Sequence, residues 1–84
     1  MFPIELRVTD AGPRHFLEGK ALERGACVEL HLCDQRWLMG TYEWSGQAFR
    51  WPSLRVELAL DAQGRRVTAA MPLPPEALLR WAGP

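Results

Sequence analysis

Hydrophobic and polar residues alternate along three stretches in the middle of the chain. Ala26, Val28, Leu30 and Leu32 alternate with Cys27, Glu29, His31 and Cys33. Arg36 to Trp44 follows after Asp34-Gln35. From Leu54 to Leu60 the pattern returns, with Leu54, Val56, Leu58 and Leu60 set against Arg55, Glu57 and Ala59. A period of two turns one set toward a core and the other toward water, which predicts strands. The two-residue link Asp34-Gln35 makes 26–33 and 36–44 antiparallel neighbours. Asp61-Ala-Gln-Gly64 is a tight turn that joins 54–60 to a fourth strand over 65–71, with Val67, Ala69 and Met71 facing inward. The predicted core is Val28, Leu30, Leu32, Tyr42, Leu54, Val56, Leu58, Val67 and Ala69.

The flanks fit the same plan. Phe2, Ile4, Leu6 and Val8 alternate with Glu5, Arg7 and Thr9, which predicts an N-terminal strand ended by Asp10-Ala-Gly-Pro13. His15–Leu17 and Lys20–Leu22 flank Glu18-Gly19 as a short hairpin. Gly40, in mid-strand, marks a bulge or a sharp bend. Pro72-Leu-Pro-Pro75 breaks the fourth strand, and Pro75-Glu76 opens one helical turn; Leu78, Leu79 and Trp81 follow, so one turn of helix and a short final strand are expected. The chain, residues 1–84, is read as a single all-β domain, with 1–13 as N-terminal strand and turn and 14–84 as a small antiparallel barrel of five to seven strands. An OB-like barrel is the alternative topology.

The order of elements resembles an SH3-like small barrel. Gly25-Ala-Cys-Val-Glu-Leu resembles the Gly-x-x-Val-x-Val opening common in such barrels, and Pro74-Pro75-Glu-Ala-Leu-Leu resembles their closing turn. The resemblance covers about residues 14–82 and extends to the small uncharacterised SH3-like domains of bacteria. It is architectural. The Trp-Trp pair and the Pro-x-x-Tyr close of the signalling SH3 domains are missing, because Leu38 follows Trp37 and no Tyr follows Pro74-Pro75. No proline-rich-peptide binding is therefore carried over.

Charge narrows the function. Ten basic residues balance ten acidic ones, so the formal net charge is zero. A protein built for sequence-independent binding to duplex nucleic acid carries a basic excess. Nine of the ten basic residues are arginine, Asn is absent and the one Ile is Ile4, a composition typical of high-G+C coding. Cys27 and Cys33 lie on one strand about 20 Å apart, beyond the roughly 7 Å that a disulfide spans. Free thiols, the lack of a signal-peptide pattern and the lack of a membrane-length apolar run predict a cytoplasmic protein with no membrane partner.

Little in the sequence supports catalysis, and no cofactor or metal is expected. Neither Ser45 nor Ser53 lies in a Gly-x-Ser-x-Gly motif. His31 and Cys33 share a strand face, but a zinc site needs three or four ligands. The chemistry instead sits in the connection Ser45–Ser53. Phe49, Arg50 and Trp51 place two aromatics and a guanidinium where core demands are weak. They form a recognition surface, or they fold back to cap the barrel. Trp and Arg are over-represented at interface hot spots, so the expected function is a non-enzymatic protein-binding module with Trp51, Phe49, Arg50 and Trp37 as contacts. Both faces of 36–44 are apolar: Leu38, Gly40, Tyr42 and Trp44 on one, Trp37 and Met39 on the other. The second face suits self-association, as in a homodimer. The alternative is a nucleic-acid-binding barrel that stacks bases on Trp51 and Phe49 and meets phosphates with Arg50, Arg55, Arg65 and Arg66. Arg55 and Arg66 share a face in either reading, and cross-strand ion pairs would neutralise them.

Overall fold

The computed structural model describes residues 1–47 and 49–83; Ala48, inside the 45–53 connection, and Pro84 lie outside the described residues. Every element is a strand: β1 (Phe2–Pro3), β2 (Glu5–Thr9), β3 (Gly12–Leu17), β4 (Lys20–Ala21), β5 (Cys27–Cys33), β6 (Arg36–Glu43), β7 (Ser53–Leu60), β8 (Arg66–Pro72) and β9 (Leu78–Trp81). They form two antiparallel sheets, one of six strands in the order β1-β9-β5-β6-β7-β8 and one of three in the order β2-β3-β4. The all-β class and the two central hairpins stand as the alternation predicts. The helical turn does not form: the segment is a single turn closed by Ala77 N–H donating to the Pro74 carbonyl at 3.0 Å. Leu78 already pairs with Pro3, so the chain has no room to wind further.

The tight turns have local causes. Between β3 and β4, Glu18 and Gly19 both adopt positive φ, 52° and 79°, the geometry whose twist matches a two-residue hairpin. Asp34 takes a φ of 52° between β5 and β6, a conformation that a short polar side chain tolerates. The N-terminal extended run divides at Ile4. Phe2–Pro3 joins β9 in the large sheet, whereas Glu5–Thr9 pairs with β3 in the small one.

The small sheet closes over one end of the large one. Leu17 and Leu22 from the small sheet meet Val28, Leu30, Tyr42, Leu54, Val56, Leu73 and Leu79 in a single buried cluster. The Trp81 indole N–H donates to the Leu17 carbonyl at 3.0 Å and ties the two layers together. Of the predicted core, Val28, Leu30, Tyr42, Leu54 and Val56 are buried and Ala69 is half-buried, but Leu32, Leu58 and Val67 are exposed.

The reason is that the sheet does not close into a barrel. β6 and β7 pair only from Thr41–Glu43 to Arg55–Ser53. Past Val56 the β7–β8 hairpin leaves the body of the protein as an arm, and an irregularity between Glu57 and Ala59 shifts its register. No layer faces the end of that arm, so its aliphatic residues stay in water. The molecule measures 45 × 28 × 24 Å with a radius of gyration of 13.5 Å, against about 12 Å for a compact chain of this length.

Gly40 sits where β7 begins to part from β6. A Cβ there would lie 2.6 Å from the Arg55 carbonyl oxygen and 2.7 Å from Leu54 Cγ. The bend expected at Gly40 is thus a close approach of two strands that only glycine allows.

Candidate functional site

The connection between β6 and β7 is held by hydrogen bonds to its backbone and by the Trp44 indole, not by Phe49 or Trp51. The Trp44 indole N–H donates to the Arg50 carbonyl at 2.8 Å, and Arg50 N–H donates to the Gln47 carbonyl at 2.9 Å. Leu73 N–H donates to the Pro52 carbonyl at 2.8 Å, which fastens the loop to the segment between β8 and β9. Pro52 and Leu73 are buried beneath this junction. Phe49 and Trp51 project from it and remain 80% and 57% exposed. They do not cap the core.

Two clefts meet at Arg50 and Trp51. The first, about 340 Å³, runs between Ile4 and Leu6 on one side, Phe49 and Trp51 on another, and the Leu73-Pro74-Pro75 segment. β2 borders it and has a single strand partner, β3, so its other edge is unpaired. The second cleft, about 390 Å³, is polar and is lined by Arg24, Glu43, Ser45 and Ser53 as well as Trp44. Arg50 and Trp51 line both.

Of the residues expected to make contacts, the structure brings together Phe49, Arg50 and Trp51. Trp37 lies elsewhere, on the outer face of β6, where the Arg80 guanidinium stacks 3.7 Å from its ring centroid and His31 meets it edge-on. Met39 on the same face is exposed. Arg55 and Arg66 do share a face, lining a separate depression with Thr68. Each is engaged there. Arg55 Nε donates to Glu43 at 2.9 Å and its terminal nitrogen donates to Thr68 Oγ1 at 3.0 Å, while Arg66 lies 3.9 Å from Glu57. The Arg55 hydrogen bond lowers the Glu43 pKa below the ordinary carboxylate value. Arg65 is paired with Asp61 at 2.9 Å, and hydrogen bonds from the Arg65 and Gln63 amides hold the Asp61 carboxyl low.

Sequence reasoning missed two residues at this site. Arg24, isolated in a turn, reaches the polar cleft only through tertiary structure. His15, on β3 opposite Leu6 of β2, is 7% exposed, its Nδ1 hydrogen-bonded to the Tyr42 hydroxyl at 2.7 Å and its ring 4.2 Å from that of Trp44. Its odd position in β3, in phase with Leu17, is the signal that marks it as inward-facing. Burial lowers the His15 pKa and raises that of Tyr42 to about 12, with Arg14 opposing the second shift. Both neutral forms are favoured.

The sign of the pH effect follows. Unfolded His15 binds a proton near pH 6.5 and folded His15 resists it, so stability falls as the pH drops below about 6.5. Glu43 and Asp61 lose their contribution only at lower pH, below the ordinary carboxylate range. Thermal melts between neutral pH and about pH 5 are expected to show a falling midpoint in the native protein and a flatter profile in His15→Gln.

His15 is engaged with Tyr42, not with a serine, a cysteine or a carboxylate. His31 Nε2 lies 3.0 Å from the Asp34 carbonyl oxygen, and among the described residues no three His, Cys, Asp or Glu side chains form a group that could hold a metal. Both cysteines are exposed and unpaired with each other. Among the described residues no helix is long and apolar enough to cross a membrane. No family model, curated protein or solved structure matches the chain.

Proposed function

We propose that the protein is a non-enzymatic binding module that takes a segment of another protein chain into the apolar cleft beside Phe49 and Trp51. The observation that carries this reading is the placement of two large aromatics, mostly in water, on a loop held by backbone hydrogen bonds at Gln47, Arg50 and Pro52. A pinned loop loses little conformational entropy on binding, and exposed Trp beside Arg is the composition of an interface hot spot. Ile4 and Leu6 line the same cleft, and Leu6 belongs to β2, an edge strand, which suits docking of an extended segment.

Nucleic acid is a weaker partner for this surface. Of the four arginines that reading assigns to phosphates, Arg55, Arg65 and Arg66 lie against carboxylates and Arg50 alone does not, and zero net charge gives no long-range attraction.

Trp51→Ala tests the reading. Its side chain donates no hydrogen bond and stands outside the buried cluster, so the midpoint of thermal unfolding should move little. Retention of interacting protein from a cell lysate should fall at least tenfold, the scale of a lost hot-spot aromatic. Loss of the folded state in Trp51→Ala would instead make the residue structural.

A further inference from the structure

The arginines of this protein divide into two sets. Arg7, Arg14, Arg55, Arg65, Arg66 and Arg80 each lie within 4.0 Å of a carboxylate. Among the described residues Arg24, Arg36 and Arg50 do not. Two of these three, Arg24 and Arg50, line one cleft. The acid in that cleft, Glu43, is hydrogen-bonded to the Arg55 guanidinium, and Arg24 acts on it only as a nearby charge without an ion-pair contact. Ser45 and Ser53 supply hydroxyls beside them, and the Trp51 indole forms a wall. A neutral protein that neutralises most of its arginines internally has left two of them together, next to hydrogen-bond donors, at the mouth of an apolar groove.

We infer that the polar cleft is an acidic-residue subsite: Arg24 and Arg50 receive a carboxylate of the bound segment while its neighbouring apolar side chain enters the groove beside Phe49 and Trp51. This rests on the protein-binding reading above and specifies the partner's chemistry as an extended peptide with Asp or Glu adjoining a large apolar residue. Arg50 and Trp51 border both clefts, so the two contacts fall close together along one chain. A guanidinium offers planar, paired donors that match a carboxylate, and a charge-assisted hydrogen bond is about twice as strong as a neutral one. A peptide needs one such site. A polyphosphate needs a continuous row, and the paired arginines do not supply it.

The test is to pan a random-peptide display library against the full chain and to repeat the binding of the enriched peptides with Arg24→Gln/Arg50→Gln and with Trp51→Ala. Among the described residues neither arginine side chain has a hydrogen-bonded partner to lose, and the Trp44 bond to the Arg50 backbone carbonyl survives the substitution. Enriched peptides should carry Asp or Glu beside an apolar residue. Affinity should drop roughly tenfold or more in the double arginine variant and weaken with salt in the native protein only. Apolar peptides without an acidic preference, lost in Trp51→Ala but not in the arginine variant, would overturn the subsite and leave the groove standing. Failure to enrich any peptide would count against both. Tighter binding of a fluorescent oligothymidylate than of any peptide, abolished in the arginine variant, would assign the cleft to phosphate and overturn the proposal.

Discussion

Gly40→Ala is expected to destabilise the protein by about 3 kcal/mol, the upper end of what an added methyl costs in a packed site. The new Cβ would meet the Arg55 carbonyl oxygen at 2.6 Å and Leu54 Cγ and Cδ1 at 2.7 and 2.9 Å. Leu54 can adjust its rotamer. The carbonyl belongs to the strand that pairs with β6 at Thr41, one residue away, and moving it breaks one of the few pairings between the two halves of the large sheet. For a domain of this size such a loss lowers the unfolding midpoint by roughly 10 °C or more. Chemical denaturation of native and Gly40→Ala protein, compared at equal m-value, measures it.

The second large effect comes from Leu54 itself. Leu54→Ala removes a side chain that is 0% exposed and packs where the two sheets converge, so about 3 kcal/mol should be lost, within the range of fully buried leucines. Leu58→Ala, four residues along the same strand but 63% exposed, should change stability by only a few tenths of a kcal/mol. The contrast is diagnostic because alternation alone gives both residues the same role. The two sites also couple. Removing Leu54 opens part of the space that a methyl on Gly40 needs, so the double variant should be less unstable than the sum of the singles. Full additivity would mean that the Arg55 carbonyl accounts for the whole Gly40 effect.

Leu54 and Leu58 show how far sequence carries the fold. Local rules found the strands because each hairpin is encoded within a few residues: Glu18-Gly19, Asp34-Gln35 and Asp61–Gly64 turn the chain where their backbone preferences say. Closure of the sheet is not local. Whether β7 follows β6 to its end depends on a pairing that stops after Arg55 and on a register shift near Glu57 that no side chain announces. Leu32, Leu58 and Val67 were placed in a core on the premise of a closed barrel and lie in water for want of a facing layer. Leu73 and Leu79 were overlooked because each is flanked by prolines or sits in a short strand, where alternation has too few periods to register.

The candidate site divides in the same way. Phe49, Arg50 and Trp51 were visible as chemistry in a loop, and the structure keeps them together because they are consecutive. Their exposure was undecided, since a loop has no periodicity to assign a face. Trp37, Arg55 and Arg66 carry the same residue types, yet each already has a partner on its own sheet. Arg24 joins the cleft through the turn that follows β4, where Gly25 N–H donates to the Tyr42 carbonyl at 2.9 Å. That contact extends the β5–β6 hairpin by one pair, and alternation within the hairpin does not say which loop Arg24 will face.

The central claim is that binding takes place at the Phe49–Trp51 groove. Amide and indole N–H spectra of isotope-labelled protein, recorded during titration with a peptide enriched from the display library, test it most directly. The account predicts shifts confined to the two adjoining clefts, at Leu6, Arg24, Ser45, Phe49, Arg50, Leu73 and the Trp51 indole, with the Trp37 indole and the far end of the β7–β8 arm unmoved. Shifts centred on Leu58, Leu60 and Val67, or on Trp37 and Met39, would contradict it and place the binding surface on another face of the molecule.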